Sequence, residues 1–209
     1  MSNKIKDLET IADVFKKYGV NFCLVYGALL GAHRDGDFLP GDEDIDLAVV
    51  DKIDLKTRKA IGLTLYDLGF KPQQILFNVF GRMEPSEIGY NGDGETGIIV
   101  CERNFKFTIF FFKEEDCATH GKEMLCVPKL GALRLIASPL RFYERFGEIK
   151  IAGRKYLTPS PIEEYLAFSY FNNWKDKTDR RHSPTFFEAH PERLEMVNIE
   201  GKNQAIIIK

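Results

Sequence analysis

Three aspartates, Asp42, Asp44 and Asp46, occupy alternate positions at the start of an apolar run. Residues 45–50 are predicted to form a strand, and side chains alternate faces along a strand, so at least Asp44 and Asp46 point the same way. Two carboxylates held this close repel each other unless one is protonated, and a hard divalent cation is the usual remedy. The spacing therefore predicts a metal site at Asp44 and Asp46, with Mg²⁺ or Mn²⁺ as the natural ion. The alternative is a solvated edge strand, on which alternating charge discourages aggregation.

The segment before the acidic run makes the metal hypothesis more specific. Residues 21–26 are predicted to form a buried strand, and the small apolar residues 27–32 a short helix packed tightly beneath the turn that follows. Such a turn could bring backbone N–H groups and Arg34 to the phosphates of a metal-bound nucleotide. The combination of turn and acidic run is more specific than either part.

Hydrophobic periodicity divides the rest of the chain into the helices and strands of an α+β fold. Helices are predicted at residues 3–18, 55–68, 138–146 and 161–171. Strands are predicted at residues 74–80, 98–101, 105–112, 149–151 and 155–157, with an edge element at 123–127 and a short β-like run at 205–208. The apolar run at 110–112 fits a strand buried on both faces. We predict one domain over residues 1–209, with a catalytic core at about 20–127 and a C-terminal segment at about 138–209 that completes the pocket.

Composition narrows the choice of partners and compartment. The 209 residues carry a formal net charge of -2, which gives no global attraction to nucleic acid, so no nucleic-acid partner is predicted. No apolar run approaches the roughly 18 to 20 residues that span a bilayer, and we expect no transmembrane segment. The chain has no paired CxxC spacing, and we expect its cysteines to be core residues of a cytoplasmic protein, namely Cys23, Cys101, Cys117 and Cys126.

Residues 26–46 (YGALLGAHRDGDFLPGDEDID) resemble the signature of the LicD/fukutin family. That signature is a Gly-x-Leu-Leu-Gly-x-x-Arg segment, an aromatic or aliphatic residue, a Pro and an Asp-x-Asp-x-Asp run. Residues 107–115 (FTIFFFKEE) are similar to a later strand of the family, and residues 157–175 to its C-terminal block. The resemblance implies a nucleotidyltransferase-type α+β fold, with a mixed sheet flanked by helices. It also implies a transferase that moves a phosphorylated alcohol, such as phosphocholine or an alditol phosphate, from a CDP-linked donor to a glycan hydroxyl of a cell-surface polysaccharide.

The resemblance further implies roles for individual residues. Asp44 and Asp46 would hold the metal, and Asp42 would support the catalytic site. The substrate-binding residues that it implies lie in two blocks of the chain, Gly27, Gly31 and Arg34 in the first and Trp174 and Lys175 in the second. The two glycines would allow close backbone packing. Trp174 either lines a donor or acceptor pocket or anchors the core or a lid.

One position departs from the family pattern. Thr108 stands where the later strand usually carries an aspartate, which would complete the metal shell or act as general base. Several explanations stay open: Glu102, Glu114 or a substrate phosphate compensates, the alignment slips, or the chain has lost activity. Nearby basic residues could add positive charge beside a diphosphate but are more typical of solvated surface, namely Arg103, Lys106, Lys150, Arg154 and Lys155.

Two other functions compete with transfer of a phosphorylated alcohol. A nucleotidyltransferase would use the same carboxylate pair and metal to transfer a nucleotide monophosphate from an NTP to a small molecule. Released CMP would indicate transfer of a phosphorylated alcohol, and released pyrophosphate would indicate transfer of a nucleotide monophosphate. A degenerate member of the family would bind a nucleotide or glycan without turnover, a hypothesis that Thr108 motivates.

Overall fold

The computed structural model describes residues 2–72, 97–117, 121–126, 136–170, 174–176, 194–199 and 203–208. Its helices are α1 (Asn3–Lys17), α2 (Tyr26–Asp35), α3 (Leu55–Asp67) and α4 (Ile162–Tyr170), with a short 3-10 helix at Leu140–Phe142. Its strands are β1 (Phe22–Leu24), β2 (Asp44–Val49), β3 (Lys71–Pro72), β4 (Gly97–Glu102), β5 (Lys106–Phe111), β6 (Lys113–Cys117), β7 (Gly121–Cys126), β8 (Ile136–Pro139), β9 (Gly147–Ile151), β10 (Arg154–Thr158), β11 (Leu194–Ile199) and β12 (Asn203–Ile208).

A seven-stranded mixed sheet carries most of the described chain, with the strand order β3-β4-β5-β2-β1-β10-β9. β2 runs antiparallel to β1 and parallel to β5, and β1 runs parallel to β10. Two smaller antiparallel sheets have the orders β6-β7-β8 and β11-β12. The predicted α+β class, with a mixed sheet flanked by helices, is confirmed.

The helices begin and end where the sequence supplies local reasons. The side chains of Ser2 and Asp54 accept backbone N–H hydrogen bonds at the N-termini of α1 and α3. Gly19 and Gly69 follow the C-terminal ends of these helices with φ angles of 67° and 88°, a left-handed backbone that favours glycine. The two helices predicted at residues 3–18 and 55–68 are therefore found almost unchanged.

The core uses the two-residue periodicity of the neighbouring strands β2 and β5. One face of these two strands is fully apolar and buried, formed by Ile45, Leu47, Val49, Phe107, Ile109 and Phe111. Phe110 and Phe112 are buried as well, so the C-terminal half of β5 is covered on both faces, as predicted for residues 110–112. The opposite face of β2 begins with the two partly exposed aspartates, which places them at one end of a central strand.

The predicted helix at residues 138–146 is wrong. The chain forms β8 up to Pro139 and then the single 3-10 turn. Ser138 and Pro139 pair with Met124 and Glu123 of β7, so the sheet takes up the residues at which the periodicity placed the first turn of a helix. Tertiary pairing thus overrides the local preference. The predicted edge element at 123–127 is also corrected, because β7 is the central strand of its sheet. The strand predicted at 74–80 lies outside the described residues.

Two of the four cysteines can be placed in the core. Cys23 and Cys101 are buried free thiols, and burial raises the pKa of Cys101 to about 12. The side chains of Cys117 and Cys126 lie outside the description. Among the described helices, none is both long enough and apolar enough to cross a membrane.

Candidate active site

The acidic run opens an interior strand of the sheet. β2 is paired on both sides, with β1 and β5. The alternative that the aspartates lie on a solvated edge strand is therefore wrong. Asp44 and Asp46 point to the same face of β2 and are partly exposed, while Ile45 and Leu47 point to the buried face. The local pattern therefore presents two carboxylates side by side at the start of a rigid central strand.

Charge repulsion and burial act together on Asp46. Burial among protein atoms raises the pKa of its carboxyl well above the ordinary value, and the neighbouring charges of Asp44 and Asp42 raise it further. The Lys106 ammonium opposes this shift. The three aspartates thus lie close enough to interact, and the cluster holds more negative charge than its surroundings neutralise.

Lys106 and Thr108 face the aspartates from the adjacent strand. In the parallel pairing of β2 with β5, Lys106 lies opposite Asp44 and Thr108 lies opposite Asp46. Lys106 Nζ is 3.2 Å from Asp44 Oδ2, and the Thr108 hydroxyl donates a hydrogen bond of 3.2 Å to the same oxygen. Lys106 is therefore part of the site, although its sequence context is that of solvated surface.

Other basic residues of the same stretch have structural partners. Arg103 donates to the fully buried carboxylate of Asp7, with Nη2 to Oδ1 at 2.6 Å, and so joins the turn between β4 and β5 to α1. Arg154 pairs with Asp13 at 2.9 Å. These contacts fit the structural interpretation of Arg103 and Arg154.

Gly27 makes room for the third aspartate. A Cβ built on Gly27 would lie only 2.6 Å from Asp42 Oδ2, so only a residue without a side chain lets that carboxylate approach the first turn of α2. The N-terminal end of a helix carries partial positive charge, which favours a carboxylate there. Lys4 of α1 also donates from Nζ to the Asp42 carbonyl oxygen at 3.2 Å. Asp42 is thus held beside the strand-to-helix turn.

The turn from β1 into α2 is sharp. Tyr26, the first residue of α2, has φ 48°, a left-handed conformation that costs a non-glycine residue of the order of 1–3 kcal/mol. The Val25 N–H donates to the Asp46 carbonyl at 3.2 Å, and the Tyr26 ring packs against Phe110 with centroids 5.8 Å apart. The surrounding contacts therefore hold the strained turn against the acidic strand.

Gly31 permits a second close approach. A Cβ there would meet the backbone of the following loop, with Leu39 N at 2.6 Å and Asp37 O at 2.7 Å. The loop that leads from α2 to the acidic strand can therefore lie directly on the helix. Both glycines have the close packing that was expected, while direct contact with substrate stays a prediction.

Arg34, Trp174 and Lys175 come together at the other end of α2. Arg34 Nε donates to Asp35 Oδ2 at 3.0 Å, and Arg34 Nη1 donates to the Asp176 carbonyl at 3.5 Å. Arg34 is seven residues beyond Gly27, which corresponds to about 10 Å along a helix. Within the described residues, the hydrogen bonds of Arg34 thus join it to Asp35 and to the segment at residues 174–176, and not to the aspartate cluster.

Trp174 is buried against α2. Its ring lies 5.6 Å from the His33 ring, and Lys175 Nζ lies 5.0 Å above the Trp174 ring while pairing with Glu163 at 3.2 Å. His33 Nε2 is also 3.9 Å from Glu163. These contacts favour the anchor interpretation of Trp174. The substrate-binding role of Trp174 and Lys175 stays a prediction.

Tyr170 is a residue of the site that the sequence does not single out. It is the last residue of α4, and the pKa of its phenol is raised well above the ordinary value by burial and then by Asp46, Asp42 and Asp44. The phenol therefore lies close enough to the three carboxylates to sense their charge. In the sequence, Tyr170 is marked only by lying within residues 157–175, the segment that is similar to the C-terminal block of the family.

The residues present fit a divalent ion that is shared with a substrate. Within the described parts of the chain, no group of three or more His, Cys, Asp or Glu side chains is arranged to hold a metal. Asp44 and Asp46 nevertheless offer hard oxygen donors, and their mutual repulsion favours a cation between them. Mg²⁺ is commonly held by one or two carboxylates together with substrate phosphates and water. The pair suits that arrangement, and does not form a closed protein cage.

One of the carboxylates that could replace a third aspartate can be placed in the sheet. Glu102 lies opposite Lys106 on β4, two strands from β2 and therefore about 10 Å from Asp44 in the sheet. The Glu114 side chain lies outside the description. Thr108 itself pairs with Asp46 in register, so it occupies the position next to the carboxylate pair.

Comparison with known families assigns the part of the chain with the acidic strand to the nucleotidyltransferase type. The family model described as LicD/FKTN/FKRP, nucleotidyltransferase domain, matches residues 19–125, about half of the chain. The chain therefore belongs to the LicD/FKTN/FKRP family. The match includes β1, α2, the acidic strand and Thr108, whereas Trp174 and Lys175 lie beyond it.

The chain is also similar to a solved structure, the lincomycin-bound lincosamide antibiotic adenylyltransferase LnuA. The TM-score is 0.42 at 15% sequence identity, with 74% of this chain and 79% of that chain covered. No curated protein matches the chain in sequence.

Proposed function

We propose that this protein is a metal-dependent transferase that moves a phosphorylated alcohol from a CDP-linked donor to a glycan hydroxyl. The donor group is of the phosphocholine or alditol phosphate type, and the acceptor belongs to a cell-surface polysaccharide such as lipopolysaccharide or teichoic acid. The observation that carries the proposal is the carboxylate pair, Asp44 and Asp46, on an interior strand of a LicD-family chain. A protein with this pair in a central strand has a fixed position for a metal-bound phosphate.

Asp44 and Asp46 are the residues that would hold Mg²⁺ or Mn²⁺. When bound, the ion neutralises charge on the donor diphosphate and on the departing CMP. β2 is fixed by strands on both sides, so the two carboxylates are already in place before substrate binds. This preorganisation favours phosphoryl transfer, in which positioning and charge stabilisation supply most of the catalysis.

Asp42 is the third carboxylate of the site. It lies beside the first turn of α2, close enough to Asp46 to raise the pKa of that carboxyl. From this place next to the proposed metal pair, its role would be to orient the glycan hydroxyl and to receive its proton. General base catalysis by a positioned carboxylate contributes roughly 10²–10⁴ in rate.

The test combines ligand binding with product analysis. Thermal shifts would be measured with Mg²⁺ and CDP-choline, CDP-ribitol, CDP-glycerol or an NTP, on wild type, Asp44→Asn and Asp46→Asn. Asp13→Asn is a matched control, because Asp13 is an exposed aspartate of α1 paired with Arg154. We expect a Mg²⁺-dependent shift with a CDP-linked donor, which is lost in both site variants and kept in the control. Equal shifts in all four proteins would contradict the proposal, and release of pyrophosphate from an NTP would indicate nucleotide transfer.

A second candidate function is donor binding without turnover. The observation that favours it is Thr108, a hydroxyl beside Asp46 where a third carboxylate could have been placed. Mg²⁺-dependent binding of a CDP-linked donor, without release of CMP in the presence of any glycan acceptor, would support this function. Released CMP would exclude it.

A further inference from the structure

We infer that Lys106 binds the donor phosphate at this site, next to the metal held by Asp44 and Asp46. The inference rests on the proposed function and adds a residue to it. A phosphate oxygen of a nucleoside diphosphate would accept a hydrogen bond from the Lys106 ammonium, while the metal-binding carboxylates hold the ion on the same face of the sheet.

The strand register places Lys106 for this role. Lys106 is the first residue of β5 and lies directly opposite Asp44, the first residue of β2. Directly paired residues of neighbouring strands extend to the same face, so the ammonium and both carboxylates share one face and one end of the sheet. Both Lys106 and Asp44 keep about a quarter of their side-chain surface exposed, at 24% and 29%. A ligand approaching from solvent can therefore reach both groups.

The contacts of Asp44 leave room for an ion and a phosphate. Lys106 and Thr108 both donate to Oδ2 of Asp44, and its other oxygen, Oδ1, remains for a metal. A lysine ammonium has three N–H donors, and its contact with Asp44 uses one of them. An ion held by Asp44 would therefore have the Lys106 ammonium on the other oxygen of the same carboxylate, and the ammonium would keep donors for a phosphate oxygen.

Charge also favours this arrangement. A divalent cation would offset the excess negative charge that the three aspartates carry over Lys106. A bound nucleotide would add negative charge of its own, and the Lys106 ammonium lies beside Asp44, where it can offset part of that charge. Lys4 differs from Lys106, because it donates to the Asp42 carbonyl and covers the Phe105 ring with Nζ 3.7 Å from the centroid. Lys106 is the lysine whose ammonium contacts a metal-binding carboxylate.

The experiment uses Lys106→Met, Lys106→Arg and the control Lys155→Met on the full chain. Lys155 is a suitable control because it pairs with Glu148 at 2.6 Å on β9 and β10, at the far edge of the sheet. Mn²⁺ binding would be measured alone by electron paramagnetic resonance. Binding of CDP and of inorganic pyrophosphate would be measured by calorimetry at saturating Mn²⁺. Circular dichroism and thermal melts would verify that each variant folds.

Lys106→Met should weaken phosphate binding without weakening Mn²⁺ binding. Mn²⁺ affinity stays equal or rises, because a competing cation has been removed from Asp44. Affinity for CDP and for pyrophosphate falls about tenfold or more, the usual range for loss of a hydrogen bond to a charged group. Lys106→Arg keeps the charge and recovers most of the affinity, and Lys155→Met behaves as wild type. If Lys106 had only a structural role, Lys106→Met would weaken Mn²⁺ and phosphate binding together or would leave both unchanged.

The outcomes separate this inference from the proposed function. If wild type binds pyrophosphate with Mn²⁺ but does not bind CDP, the CDP-linked donor is contradicted. Lys106 would still be the phosphate-binding residue if Lys106→Met then weakens pyrophosphate binding. Equal pyrophosphate affinity in wild type and Lys106→Met would overturn the assignment while leaving the donor proposal intact. Failure of wild type to bind either phosphate compound would overturn both.

Discussion

The Thr108 hydroxyl lies 3.2 Å from Asp44 Oδ2 and donates a hydrogen bond to it. Thr108 also pairs in register with Asp46. This neutral side chain on β5 therefore contacts Asp44 and lies next to Asp46. The hydrogen bond adds no charge to the pair. Thr108 therefore orients one carboxylate of the proposed metal pair but supplies no anion of its own.

Replacing Thr108 with aspartate should strengthen metal binding. The new carboxylate would join Asp44 and Asp46 on the same face, and divalent-ion affinity rises with the charge of the ligand set. We expect Mn²⁺ to bind about tenfold more tightly to Thr108→Asp, and the metal-free protein to melt at a lower temperature because a further like charge is added. Thr108→Asn, which is similar in size and neutral, should show neither change. Unaltered Mn²⁺ affinity in a folded Thr108→Asp protein would argue that Thr108 does not adjoin the metal.

Replacing Asp46 with asparagine should stabilise the metal-free protein while removing metal binding. Asp46 lies among protein atoms and close to Asp44 and Asp42, so its charge is unfavourable in the absence of a cation. A gain of about 1 kcal/mol would raise the melting temperature by about 2–4 °C in a chain of this length. Adding Mg²⁺ to Asp46→Asn should then produce no further increase in melting temperature. Asp13→Asn is the control, and a lower melting temperature for metal-free Asp46→Asn would contradict the electrostatic account.

The acidic strand and the preceding turn could be predicted because their signals are local. Alternation along a strand places Asp44 and Asp46 on one face whatever the rest of the fold does. The small residues 27–32 likewise indicate close packing, and the structure shows that packing at Gly27 and Gly31. The helix α2 is longer than predicted, since it continues through His33 and Arg34 to Asp35.

The place of Lys106 could not be predicted in the same way. Its contact with Asp44 depends on the parallel pairing of β2 with β5, whose register is set by matching buried faces and not by any short sequence pattern. Tyr170 reaches the cluster from the end of α4, which again requires the packing of distant elements. At residues 138–146 the apolar spacing favoured a helix, but the pairing of β8 with β7 prevailed, and that pairing has no short sequence signal.

The N-terminus of α3 should give the protein a pH-dependent contribution to stability. Asp54 accepts a hydrogen bond of 2.6 Å from the Thr57 N–H, and this bond, with that to the Thr57 side chain, holds the pKa of Asp54 below its ordinary value. Because the folded pKa is the lower one, the ionised carboxylate stabilises the fold above the ordinary carboxyl range. That contribution is lost as the pH falls through the folded pKa.

The difference in melting temperature between wild type and Asp54→Asn measures this contribution. Asparagine keeps a capping oxygen but cannot ionise, so wild type should be the more stable protein at neutral pH and the difference should shrink below about pH 4. Asp54→Ala removes the cap entirely and should be the least stable of the three at neutral pH. If the difference in melting temperature between wild type and Asp54→Asn stays constant from pH 7 to pH 3, ionisation of Asp54 does not contribute to stability in the way proposed.

Alanine substitutions at the two close-packed glycines should separate site geometry from stability. In Gly31→Ala the new methyl group meets backbone atoms of Leu39 and Asp37, which cannot move without shifting the loop, and we expect a loss of about 1–3 kcal/mol. In Gly27→Ala the nearest atoms that the methyl group meets are those of the Asp42 carboxyl group, and displacing a side-chain end costs less than displacing backbone. Alanine also favours helix over glycine by up to about 1 kcal/mol, so the melting temperature of Gly27→Ala should stay close to that of wild type.

The displaced Asp42 should nevertheless impair the site in Gly27→Ala. Transfer from a CDP-linked donor should fall about 100-fold or more, the range for loss of a positioned general base, while CDP affinity changes less because Asp44 and Asp46 stay in place. Asp42→Asn should lower transfer by a similar factor and should show little further loss when combined with Gly27→Ala, because both changes act on the same carboxylate. If the two losses instead multiply, Gly27 affects the reaction by a route other than the placement of Asp42.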